Sequence, residues 1–167
     1  SSITVSSDTS IEINQTRRIE SAANTESRVT THDVGNSIVG ARDLNQSNES
    51  SSTQSRHETN NKALVIDSTS TFTNSESITR AGNTVVGSFS QTVETSGSSS
   101  SDETLTNQTL TVLTHSEGTS KSLRTEIGNS IRGDSKLHQT SDGSSLVTRH
   151  EQNQTLKINA TTTSSST

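Results

Sequence analysis

Gly35-Asn36-Ser37-Ile38-Val39-Gly40 returns as Gly82-Asn83-Thr84-Val85-Val86-Gly87 and again as Gly128-Asn129-Ser130-Ile131-Arg132-Gly133, with 47 and then 46 residues between the first glycines. Self-similarity at a fixed period marks a repeat architecture, in which each unit packs chiefly on its neighbours. A second anchor, at Asn14, Asn61 and Asn107, precedes each glycine phrase by 21 residues, and Asn153 opens a further copy. Asn14, Asn107 and Asn153 each begin Asn-Gln-Thr, whereas Asn61 is a degenerate copy. From glycine phrase to next anchor the interval is 26 residues in the first copy and 25 in the others, so one residue is inserted there. Arg56-His57-Glu58-Thr59-Asn60 matches Arg149-His150-Glu151-Gln152-Asn153 if Asn60 is the true counterpart; either way the insertion falls at a turn.

Three residues after each anchor stand Arg17, Leu64, Leu110 and Leu156, and five residues after it Ile19, Ile66, Val112 and Ile158. That step of two is the step of a half-buried strand. Thr, Val and Ile suit a pleated surface, Ser, Asn and Gly are poor helix formers, and no stretch sustains apolar spacings of three and four. The chain reads as all-β.

Each period divides into parts of about 21 and 25 residues, the length of one β-solenoid coil, so two coils per repeat are expected. The predicted architecture is a repeat-built β-solenoid or stacked cross-β rod. One array covers 1–167, with a partial repeat at 1–34, repeats at 35–81 and 82–127, and a partial repeat at 128–167. About seven rungs rising ~4.8 Å each would reach ~34 Å. In this reading Gly35, Gly82 and Gly128 supply positive φ at corners, and Asn36, Asn83 and Asn129 tolerate left-handed geometry or form ladders. Ile38, Val85 and Ile131, together with Ile19, Ile66, Val112 and Ile158, form an inward column.

Apolar residues are 22% of the chain, against roughly 45–50% in an ordinary domain. A conventional core cannot be filled, whereas a thin solenoid interior accepts Ser, Thr and Asn whose polar groups pair along the stack. The 35 Ser and 29 Thr, with 13 Asn and 8 Gln, make this a hydroxyl and amide protein. Phe72 and Phe89 are the only aromatics, and Pro, Cys, Met, Trp and Tyr are absent, which disfavours an apolar ligand pocket and excludes thiolate chemistry. The net charge is −5 and the 13 Lys and Arg are scattered apart from Arg17-Arg18, so nucleic acid is not expected as a partner. The longest apolar run, Ala63-Leu64-Val65-Ile66, is far short of the roughly 18 residues of a membrane helix. The absence of an initiator Met points to a processed or excerpted piece of a longer protein.

No enzyme chemistry is legible. His32, His57, His115, His138 and His150 never fall within five residues of one another, against the short spacings of zinc sites. Gly-x-Ser-x-Gly and the phosphate-binding Gly-x-x-x-x-Gly-Lys-Ser/Thr are absent, and Asp102-Glu103 throws its carboxylates to opposite faces of a strand. Catalytic residues, cofactor and metal are therefore all read as none. Six sequons, at Asn14, Asn45, Asn48, Asn107, Asn153 and Asn159, offer possible glycosylation. Ranks of Thr-x-Thr such as Thr109/Thr111 resemble ice-binding faces but do not recur in register.

The Gly-Asn-Ser/Thr-Ile/Val-x-Gly phrase, its Ser/Thr-rich tract and the recurring Asn-Gln-Thr-Leu are similar to the Ser/Thr-rich repeat arrays of giant bacterial surface proteins, some of which also carry rearrangement-hotspot (Rhs/YD) repeats. A fainter likeness is to bacterial functional amyloid repeats. The resemblance implies an extracellular or cell-surface location. The reading is a structural repeat protein forming a rod, stalk or polymerised fibre, by self-association or as part of a longer chain; the alternative is an adhesin or glycan-binding rod with a hydroxyl-rich face.

Overall fold

The structure is a computed structural model that describes residues 1–61 and 63–167. Eight strands follow one another in the chain: β1 (Ser2–Asn14), β2 (Arg17–Asn36), β3 (Ala41–Asn60), β4 (Leu64–Asn83), β5 (Ser88–Asn107), β6 (Leu110–Asn129), β7 (Asp134–Asn153) and β8 (Leu156–Ser166). They pair antiparallel in sequence order, β1 to β8, in one open sheet. The six inner strands are 20 residues each. At ~3.3 Å per residue a strand is ~66 Å long, and seven spacings of ~4.8 Å make the sheet ~34 Å wide.

The all-β expectation holds, but the solenoid coil is not what joins the strands. A coil winds in one direction and stacks its rungs in parallel, whereas here the chain reverses at every junction. The 46–47-residue period is one antiparallel strand pair. Its unequal halves come from two kinds of turn. Asn14 pairs with Arg17, Asn107 with Leu110 and Asn153 with Leu156, leaving two-residue loops at one end of the sheet. Asn36 pairs with Ala41, Asn129 pairs with Asp134, and β4 ends at Asn83 with β5 opening at Ser88, so four-residue loops occupy the other end. The inserted residue lies in the loop after β3, where Asn60 pairs with Leu64 across three residues. Asn60 is thus the counterpart of the other anchors, and Asn61 is a loop residue.

A single layer explains the composition. Total accessible surface is 11454 Å², whereas a compact chain of 17.7 kDa would expose ~7,900 Å². No apolar residue among those described is buried. Strands this polar persist because the ladder satisfies their main-chain groups, while Ser and Thr side chains bond water or each other. Midway along the strands hydroxyls meet across the sheet: Thr73 and Ser98 at 2.7 Å, Thr119 and Ser144 at 2.9 Å, Ser145 and Ser164 at 2.7 Å.

Candidate functional site

Cross-strand partners share a face, so the register sorts every side chain. One face carries the row Glu12, Ile19, Glu58, Ile66, Leu105, Val112, Glu151 and Ile158, one residue from each strand. Ile19, Ile66, Val112 and Ile158 therefore do align in one rank. With no second layer, they lie on a surface, and Ile158 is 46% exposed. Among the described residues Glu58 is the one buried polar side chain, 6% exposed, flanked in the row by Ile19 and Ile66. Its carboxylate accepts from Arg17 Nε at 2.7 Å and also pairs with Arg56. The Arg17 guanidinium holds it below the usual carboxylate range despite desolvation.

Ile38, Val85 and Ile131 do not join that rank. They sit on the four-residue turns, 89%, 63% and 67% exposed, because the chain is reversing there and cannot alternate as a strand does. Gly35, Gly82 and Gly128 are likewise not the corners. They lie within β2, β4 and β6, one residue before the strand end. The positive φ falls on the closing glycines, Gly40, Gly87 and Gly133, at 74°, 75° and 76°. A Cβ on Gly40 would come within 2.6 Å of Val85 Cγ2, and one on Gly87 within 2.6 Å of Ile131 Cγ1, so each closing glycine also seats the next turn. At the opposite end Gln15, Gln108 and Gln154 adopt φ near 50°, as does Asn61.

Asn36, Asn83 and Asn129 are ladder residues rather than left-handed ones. Each Oδ1 accepts two main-chain N–H bonds of its own turn: Asn83 from Val85 at 2.9 Å and Val86 at 3.2 Å, Asn129 from Ile131 and Arg132 at 3.0 Å each. Asn83 and Asn129 also donate Nδ2 backward to the preceding turn, Asn83 to Val39 O at 3.0 Å and Asn129 to Val86 O at 2.8 Å. Thr84 N and Ser130 N donate to Gly40 O and Gly87 O at 2.9 and 2.8 Å. A second ladder links the turns at the opposite end of the sheet. Thr16 Oγ1 donates to Asn60 Oδ1 at 3.3 Å and Thr109 Oγ1 to Asn153 Oδ1 at 2.9 Å, while Asn61 N donates to Thr16 O at 3.2 Å.

All five histidines fall on the face opposite Glu58. His57 meets Asp67 at 2.5 Å, His115 meets Asp102 at 2.7 Å, and His150 contacts Asn159. Asp102, with Glu117 3.8 Å away, raises the His115 pKa above the ordinary 6.5. These are separate cross-strand pairs, and no group of three His, Asp or Glu converges for a metal among the described residues. An open trough around Phe72 is lined by Ser, Thr, Asn and Gly, with no charged group. Of the sequon residues, Asn14, Asn45, Asn107, Asn153 and Asn159 are exposed, whereas Asn48 is half-buried with its Oδ1 enclosed and unpartnered.

No family model and no curated protein matches the sequence. Among solved structures, the ferric yersiniabactin uptake receptor FyuA from Yersinia pestis is similar over 92% of this chain and 31% of its own length, at 12% identity and a TM-score of 0.41. The chain thus spans about a third of that receptor, and a likeness at this score carries no argument about fold or activity.

Proposed function

We propose that this chain is an extracellular structural repeat element, a cross-β rod, stalk or fibre unit built by adding strand pairs sideways. The observation that supports this reading most is the periodic ladder of turns. The Asn83 and Asn129 clips and the Thr109–Asn153 bond each join one repeat to the next. Among the described residues, no three His, Asp or Glu converge, and the trough around Phe72 is lined by uncharged side chains. In the described sheet the outer strands β1 and β8 each leave one edge unpaired, and neither contains Pro, one of the residues that block strand addition. The resemblance to bacterial surface repeat arrays agrees with this role.

Negative-stain electron microscopy of the purified chain over a range of concentrations tests the reading. Filaments or ribbons whose width matches the ~66 Å strand length are the expected product. A chain that stays monomeric at high concentration and forms no filaments contradicts it.

A further inference from the structure

We propose that a second copy of this chain docks its β1 against β8 in one particular register, the one that continues the ladder: residues whose numbers sum to 170 become partners, so Leu156 faces Asn14 and Ile158 faces Glu12. This rests on the self-associating reading above and names the contact that carries it.

Three junctions within the chain have the same geometry as the proposed one, an even-numbered strand followed by an odd-numbered strand. At the turn end they pair Arg17 with Asn60, Leu64 with Asn107 and Leu110 with Asn153. Two residues further in, they pair Ile19 with Glu58, Ile66 with Leu105 and Val112 with Glu151. Leu156 opposite Asn14 and Ile158 opposite Glu12 repeat both patterns in both rows at once. A shift by one residue throws every side chain to the wrong face, and a shift by two sets Leu156 against Glu12.

The turns point to the same register. Thr16 and Thr109 donate their hydroxyls to Asn60 and Asn153, the anchor one strand pair further along. In the described sheet Thr155 and Asn14 are the positions of that series on the two outer strands' side, beside β8 and β1. The proposed register brings the Thr155 hydroxyl to the partner's Asn14 Oδ1 and the partner's Gln15 N–H to the Thr155 carbonyl. β8 contributes 11 residues and β1 has 13, so the contact forms about 11 main-chain hydrogen bonds. Directions agree as well, since β8 and an incoming β1 then run antiparallel like every other pair.

The chain has no Cys, so introduced pairs report register cleanly. In one variant Ala160→Cys is combined with Ser10→Cys, partners in the proposed register. In a second, Ala160→Cys is combined with Ser6→Cys, ~13 Å off along the strand. Within a single chain β1 and β8 are ~34 Å apart, beyond the reach of a disulfide. Mild oxidation is expected to convert the first variant into a ladder of covalent dimers and higher oligomers and to leave the second almost entirely monomeric, a difference of tenfold or more. Filaments in which the second variant cross-links as well as the first overturn this register while leaving the fibre reading intact. Absence of both filaments and cross-links overturns the two together.

Discussion

At the residue scale, the ladder residues explain why the repeat uses Asn rather than Asp at each long turn. Asn83 accepts two N–H bonds from its own turn and donates one to Val39 O, and only an amide does both. Asn83→Asp keeps the acceptor, loses the donor and sets a carboxylate against a carbonyl. We expect it to destabilise the sheet by about 1–2 kcal/mol, read as a lower midpoint in urea unfolding. Asn36→Asp supplies the control, because among the described residues Asn36 accepts the two bonds, from Ile38 and Val39, without the backward donation; its midpoint should barely move. The strict recurrence of these Asn left both readings open, a left-handed backbone or a ladder. The φ of the closing glycines was not legible either, since both glycines of the phrase recur equally. Only the four-residue loop, with the first glycine already paired in the strand, decides which one turns.

At the element scale, the alternation and the shared rank of Ile19, Ile66, Val112 and Ile158 were readable because pairing preserves the period of two. Strand direction was not. Spacings of 21 and 25 residues fit a parallel coil and an antiparallel hairpin pair alike. The signal that separates them is the two residues Gln-Thr between Asn14 and Arg17, between Asn107 and Leu110, and between Asn153 and Leu156, the length of a tight hairpin loop. The paired strands also set a pH dependence. On the β5–β6 pair, Asp102 and then Glu117 raise the His115 pKa. That stabilisation is complete below the ordinary imidazole value of 6.5 and is lost as pH rises through the higher folded value. In the Glu58 site the sign reverses. The folded carboxylate pKa is lowered, so its contribution is present above the ordinary 4.5 and is lost as pH falls through the folded value. The thermal midpoint of His115→Gln should therefore lie below that of the native chain near pH 6, with the gap closing toward pH 9. A gap independent of pH would show that the His115 charge contributes nothing.

At the scale of the whole molecule, a chain with 22% apolar residues adopts a fold that needs no interior. Its exposed area of 11454 Å² states the same fact. Stability then comes from a long main-chain ladder, from cross-strand hydroxyl pairs and from clips between turns, all of which grow with the number of strand pairs. The low apolar content pointed to a repeat rather than a globule, but it could not distinguish a thin interior from none. The central claim is that successive 20-residue strands reverse. It is tested most directly by intramolecular disulfide formation between Ser47→Cys and a second introduced Cys. In the hairpin sheet Ser47 pairs with Ser77, whereas a coil of about 23 residues would stack Ser47 near Ser70, which lies ~23 Å away along the strand in the sheet. Rapid closure of the Ser47→Cys/Ser77→Cys variant, with Ser47→Cys/Ser70→Cys remaining open, is the predicted result; the reverse would contradict the antiparallel sheet.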